Sequence, residues 1–495
     1  MAVVSVGLFL AFYYNVVVSW AIWYLAASLA SRLEWVHCGH WYNSASCWSE
    51  EDSLACRQEV EGEQEGGGSS YYYNNSCHHL QEVCQAFGLQ SGRPGHCRGG
   101  EEGEVRLESL YTRTSAPAEY YERFVLGNRG HGWDNFGTVR LDSLACLAAA
   151  WLLVAACLIK GIKTSGKVAY FTSLFPYLVL VILAVRGLSL PGAGEGVAYY
   201  LSPDWTRLQH TKVWVDAATQ VIFSLGPACG CVITLSSYNK FQRNCHRDAV
   251  IIAISNSVTS FFSGFVVFSI LGYMAHISDK EVKDVFAPGP GLAFIVYPEV
   301  VSRIPGSQVW AALFFLMMIT LALGSIFGAF ETVITALSDQ WPVLRAFKPQ
   351  LVLICSAVML VLGLPFSCNG GIHMFTLFDA SAPSWNLLLF ALLEVVLVSW
   401  VYGVETFLDN IAEMNIQMST PVRLYWKLSW KYTTPVILTT LLVFSWRDFG
   451  QVEYNGSSYP LWVQVAGYLI TGGATHPSPR PVAQLDTLLY FQAAP

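Results

Sequence analysis

Ser224-Leu225-Gly226-Pro227-Ala228-Cys229-Gly230 lies inside an apolar stretch, residues 213–238, long enough to cross a bilayer. A crossing helix needs about 20 mostly apolar residues. No regular helix runs through Pro227, which lacks an N–H and clashes with the carbonyl four residues back. A proline kink, common in membrane helices, is the plain interpretation. Two glycines flank Pro227, and Gln220 and Ser224 sit one turn apart just before it. They favour a helix broken at mid-membrane, whose freed carbonyls and half-helix N-terminus bind ions or a carboxylate.

Outward from the break, apolar stretches recur near 5–30, 145–160, 168–190, 248–275, 309–337, 350–366, 386–408 and 433–446. The last is short unless its helix begins near Val422, and a further stretch from Leu461 to Ile470 is too short to span. The expectation is an all-α polytopic membrane protein of about 9–10 spans. Composition agrees, with 53% hydrophobic and 13% charged residues, against about 25% charged in soluble domains. Mean hydropathy is +0.41. The 17 Trp suit membrane interfaces. A net charge of −7 without a basic cluster excludes nucleic acid as a partner, and the Cys lack the repeated CxxC of a zinc module.

Orientation follows from the short loops. Those at 160–167 (Lys160, Lys163, Lys167), 239–247 (Lys240, Arg243, Arg247), 345–348 and 423–431 (Arg423, Lys427, Lys431) are basic, and basic loops face the cytoplasm. The alternating loops carry Asp204, Asp279, Glu281, Asp284 and Glu299. The sequons at Asn74 and Asn455 fall on the opposite, outer side, where glycosylation occurs. Residues 1–30 read as a membrane helix, not a signal peptide, because the stretch lacks a basic start. Residues 31–140 read as a long extracellular loop without sustained apolar periodicity. Residues 141–473 read as the membrane core, and 474–495 as an atypical Pro-rich tail. Cys38 and Cys47, nine apart in an oxidising compartment, suit a disulfide closing a small loop. The pairing of Cys56, Cys77, Cys84 and Cys97 stays open.

Polar residues inside the spans narrow the function. Asn256 and Ser260, four apart, share a helix face. Gly324-Ser325 interrupts Leu321–Phe327, and Glu331, Asp379, Glu394 and Glu405 lie in or beside apolar segments, where charge is costly and usually functional. Singly, each Ser or Asn is more often a helix-packing hydrogen bonder. Together, neutral oxygens suit a small alkali cation, and hydroxyls and amides also donate to chloride. The intramembrane acids lack the neighbouring His, Cys or metal set of an enzyme. These residues alone point to an ion-coupled carrier or channel.

Longer motifs carry a family resemblance from about residue 10 to 470. They are Phe12-Tyr13-Tyr14-Asn15 through Leu33-Glu34-Trp35, Lys163-Thr164-Ser165-Gly166-Lys167-Val168-Ala169-Tyr170-Phe171-Thr172, Ser237-Tyr238-Asn239-Lys240-Phe241, and Gly289-Pro290-Gly291-Leu292-Ala293-Phe294 with Tyr297-Pro298-Glu299. In these the chain resembles the neurotransmitter:sodium symporter family. Within it, Lys160 to Lys167, Leu190-Pro191-Gly192-Ala193-Gly194 and Val232 to Tyr238 look most like glycine transporters.

The resemblance implies an inverted-repeat bundle at the plasma membrane, whose cofactors are coupled Na+ and Cl− and whose substrate is a small neutral amino acid, glycine first. Tyr14, Phe223, Gly226 and Cys229 match substrate-binding positions. Ser224, Asn256, Leu321 (through its carbonyl) and Ser325 match sodium ligands. Gln220, Ser224, Asn256 and Ser260 match chloride ligands, and Asp379 the acidic member of the outer gate. Cys38 and Cys47 match the family's loop disulfide. The family has twelve spans, and this chain resembles it from the third onward. Gly324 stands where an oxygen ligand is usual, and Cys229 where a bulkier residue is common. Transport of proline or a monoamine is the neighbouring alternative. A transport-incompetent chain regulating full-length transporters, with homo-oligomerisation, is the alternative of another class.

Overall fold

The computed structural model describes residues 2–61, 70–99, 103–111, 113–159, 162–226, 228–278, 281–285, 290–381, 385–447, 452–454 and 457–473. The expected tail and the sequon at Asn455 lie outside the described residues, as does Pro227.

Helix α1 (Ala2–Ser28) carries no charged residue and is apolar nearly all round, the pattern of a helix buried within a bundle. It packs most extensively on α9 (Ser307–Gln340). Against this pair pack α2 (Leu141–Leu158) and α3 (Ile162–Leu188), and outside them α4 (Ala193–Leu201) and α7 (Cys245–Ser278) pack on each other and α7 on α3. Most of the apolar stretch of α1 is buried, whereas α7 is exposed along its first half and buried only at Val266 and from Ser269 to Ala275, so α1 is central and the first half of α7 peripheral. The broken stretch forms α5 (Thr211–Leu225) and α6 (Cys231–Ser237), and α8 is Tyr297–Ser302. Then follow α10 (Lys348–Leu362), α11 (Gly371–Ser381), α12 (Trp385–Val396), α13 (Val404–Glu413), α14 (Thr420–Leu428), α15 (Thr434–Arg447) and α16 (Leu461–Gly473).

Among the described residues, seven helical stretches are long and apolar enough to cross a membrane. The difference from the sequence expectation is physical. The stretch at 213–238 is two half-helices, neither long enough alone. The stretch ending in α15 starts at Thr420, close to Val422, and runs on through a π-helical turn at Ser429–Thr433.

An aromatic hub joins α1 to the 31–140 segment and to the region before α8. Trp20, Tyr24, Trp35, Tyr120, Tyr121, Phe294 and Phe315 are buried together. Tyr24 stacks on Phe315 at 4.6 Å, and Trp20 meets Phe294 edge-on at 5.8 Å; such pairs add stability beyond their buried area. The Tyr24 hydroxyl donates to the Phe294 carbonyl at 2.8 Å and Trp35 Nε1 to the Pro298 carbonyl at 3.2 Å.

The 31–140 segment is more ordered than its lack of periodicity suggests. β1 (Cys47–Trp48) pairs in parallel with β7 (Thr114–Ser115), and β2 (Ser70–Tyr73) forms a hairpin with β3 (Ser76–His79). β4 (Gln90–Ser91), β5 (His96–Gly99) and β6 (Gly103–Arg106) make a three-stranded sheet. Strands of two to four residues are too short to leave an alternating pattern. Disulfides Cys38–Cys47, Cys56–Cys77 and Cys84–Cys97 hold this loop layer. Asn74 and Asn75, at φ +50° and +60°, form the exposed tip of the β2–β3 hairpin, a turn that favours Asn.

Candidate ion and substrate site

Helix α5 ends at the break. Gly226 takes φ +63° and its N–H donates to the carbonyls of Ile222 and Phe223. Ala228 (φ +61°) and Gly230 (φ +74°) are also left-handed, a conformation glycine adopts freely and alanine only at a cost. Gly230 caps α6, and its carbonyl accepts from Thr234. The Ala228 N–H donates to the carboxylate of Glu394 on α12, so this acid fixes the unwound segment.

Beside the break, Asn256 Nδ2 on α7 donates to Ser224 Oγ on α5 at 2.8 Å, and Ser224 Oγ donates to the Val221 carbonyl at 3.1 Å. Two expected ion ligands, distant in sequence, are therefore in contact through neutral oxygen and amide groups. Ser260 is exposed one turn along α7, and Gln220 is exposed one turn before Ser224.

Helix α1 supplies the facing wall. A Cβ on Gly7 would meet the Cys229 carbonyl at 3.3 Å and the Ala329 carbonyl at 3.8 Å, so the backbones of α1, the break and α9 approach closely here. Tyr14, seven residues on, shares that helix face. Cys229 is buried against Val6, while Phe223 is 39% exposed. Asp379, at the end of α11, faces the hydroxyl of Tyr13. Leu321 and Ser325 lie together on an exposed stripe of α9, where a Cβ on Gly324 would meet nothing. Among the described residues no hydrogen bond joins this stripe to the Ser224–Asn256 pair.

Sequence reasoning passed over two residues. Tyr13 is 2% exposed beside Asp379. Asn15 is fully buried, and both its amide atoms lack a hydrogen-bond partner among the described residues; a buried polar group without one is costly. The available signal was the unusual run of two phenols and an amide within a charge-free helix.

The model of the sodium:neurotransmitter symporter family matches residues 1–93 and 95–482. The chain belongs to this family. Its members are transporters, not enzymes, and the chain is a multi-pass membrane protein. A sodium- and chloride-dependent glycine transporter 2 of Xenopus laevis is 39% identical over 471 residues, 95% of this chain and 57% of its own length. A sodium-dependent serotonin transporter of Drosophila melanogaster is 36% identical over 95% of this chain and 67% of its own length. A sodium-dependent dopamine transporter of Bos taurus is 37% identical, with 95% and 61% covered. The chain thus spans between 57% and 67% of the length of these curated relatives.

Proposed function

We propose that this family member carries a small neutral amino acid, glycine first, across the plasma membrane together with sodium and chloride. The observation that carries the proposal is the Ser224–Asn256 contact beside the helix break. Ser224 and Asn256 offer uncharged oxygens to sodium, while the Asn256 amide and the hydroxyls of Ser224 and Ser260, with Gln220, donate to chloride. Leu321 and Ser325 form a second, separate sodium position. The substrate lies between Tyr14, Phe223, Gly226 and Cys229, with its carboxylate toward the Tyr14 hydroxyl, and Asp379 closes the outer end. Glycine comes first because a relative 39% identical over 95% of the chain is a glycine transporter.

The loop layer, with its disulfides and the Asn74 turn, faces outside on this reading. Each sodium entering through a 100 mV inside-negative potential contributes about 2.3 kcal/mol, and each chloride entering costs the same. A sodium–chloride pair is therefore neutral to the potential, and electrical drive requires more sodium than chloride.

Gln220, Ser224 and Ser260 beside the break are exposed, and so is Ser325 on the separate stripe of α9. Polar groups at membrane depth face protein or water, not lipid, so these groups line the solute path. The same exposure favours a second reading, in which another transporter chain covers this face and is regulated by it.

Uptake of radiolabelled glycine by cells making this chain tests the proposal. Ser224→Ala and Asn256→Ala are each expected to reduce uptake at least tenfold with surface delivery unchanged. Normal uptake in either variant contradicts the assignment. No uptake by this chain alone, with a changed uptake rate of a longer family member when the two are co-expressed, supports the second reading.

A further inference from the structure

A cleft of about 290 Å3 opens between the loop layer and the loop-side ends of α7 and α8. Trp48, Leu54, Pro117, Tyr273 and Ile277 give it apolar walls. The charged groups in its lining are the carboxylates of Glu50, Glu51 and Glu299 and the guanidinium of Arg303.

This guanidinium is committed. Arg303 is bonded to Glu50 and, at 3.2 Å, to Glu299. Glu51 is 54% exposed and faces the His37 ring at 3.6 Å, whose other nitrogen is held by Asp52 at 2.9 Å. Arg113 stacks over Trp48 and Tyr111 at 5.6 and 5.1 Å but is not part of the lining. The cleft therefore presents excess negative charge within apolar and aromatic walls.

Its chemistry discriminates among ligand classes. A zwitterionic amino acid finds no uncommitted cation for its carboxylate. A bare metal ion finds no group of three ligating side chains among the described residues. An organic ammonium with an apolar body meets both needs, since carboxylates and aromatic faces attract the cation and the walls take the body. We propose that this cleft is a second binding site, apart from the helix break, for a small organic ammonium ion. Such a ligand touches the loop helix Glu50–Glu61, α7 and α8 at once, so its occupancy ties the loop layer to the membrane helices.

The test is calorimetric titration of the purified full chain with benzyltrimethylammonium, which is permanently charged and carries no carboxylate. Saturable binding is expected, unchanged by excess glycine with sodium. Glu51→Lys, which reverses the exposed charge, and Leu54→Trp, which fills the cleft, should each weaken it at least tenfold. The neutral isostere neopentylbenzene should bind at least tenfold more weakly than the cation. Should either substitution disturb folding, Glu51→Gln, which keeps the shape and removes the charge, decides the matter by a measurable loss of affinity. Absence of saturable binding, binding indifferent to the cleft variants, or equal binding of the isostere overturns the proposal.

Discussion

Glu331 and Glu394 are both carboxylates within apolar helices, and they have different partners. Glu331 on α9 is buried and bonded to Lys348 at the start of α10, with the Tyr238 hydroxyl donating to it at 3.3 Å. Removing one member of a buried pair leaves the other uncompensated, at about 3–5 kcal/mol. Because Lys348 is partly exposed, the low end applies. Lys348→Met is expected to lower the thermal unfolding midpoint of detergent-purified protein, and Glu331→Gln in the same chain to restore part of the loss. An additive double variant contradicts the pairing. Glu394 instead receives the Ala228 N–H. Glu394→Ala should depress uptake at least tenfold, while Glu394→Gln, which keeps an accepting oxygen, retains more. Equal loss in both removes the anchoring role. Sequence alone marked both acids as expensive; their partners lie 17 residues away on α10 and more than 160 residues away at the break, beyond what local pattern conveys.

At the scale of elements, α4 and α7 cross through facing glycines. A Cβ on Gly196 would lie 1.8 Å from the Phe268 carbonyl oxygen and 2.8 Å from the Gly272 Cα, a backbone approach that only small residues permit. Gly196→Ala should cut the yield of monodisperse protein on size-exclusion several-fold. Gly194→Ala, whose Cβ would meet nothing within 4 Å, should leave it unchanged. A tolerated Gly196→Ala contradicts the crossing. Apolar length made the spanning helices legible in the sequence, and the Gly-Pro cluster marked the break. The loop layer was not legible, because strands of two to four residues held by disulfides leave no periodic signal. Its pairing is open to direct check: non-reducing peptide mapping should recover Cys56–Cys77 and Cys84–Cys97 as linked peptides, and any other pairing contradicts the layer.

At the scale of the whole molecule, the family was legible from long ordered motifs, and the match over residues 1–93 and 95–482 agrees. The candidate site was legible in part. Ser224 and Asn256, 32 residues apart, meet at 2.8 Å across the break and α6, a contact between helices that the pattern of either helix alone does not specify. Leu321 and Ser325 sit on a separate exposed stripe of α9, and no single-helix pattern specifies which neighbour a stripe will face. On the function proposed, sodium held beside the break drives substrate movement. The most direct measurement is radiolabelled glycine uptake by cells making this chain, with external sodium or chloride replaced in parallel. Uptake is expected to disappear on replacing either ion and on Ser224→Ala. Uptake indifferent to sodium, or no uptake in any ionic condition, contradicts the proposed function.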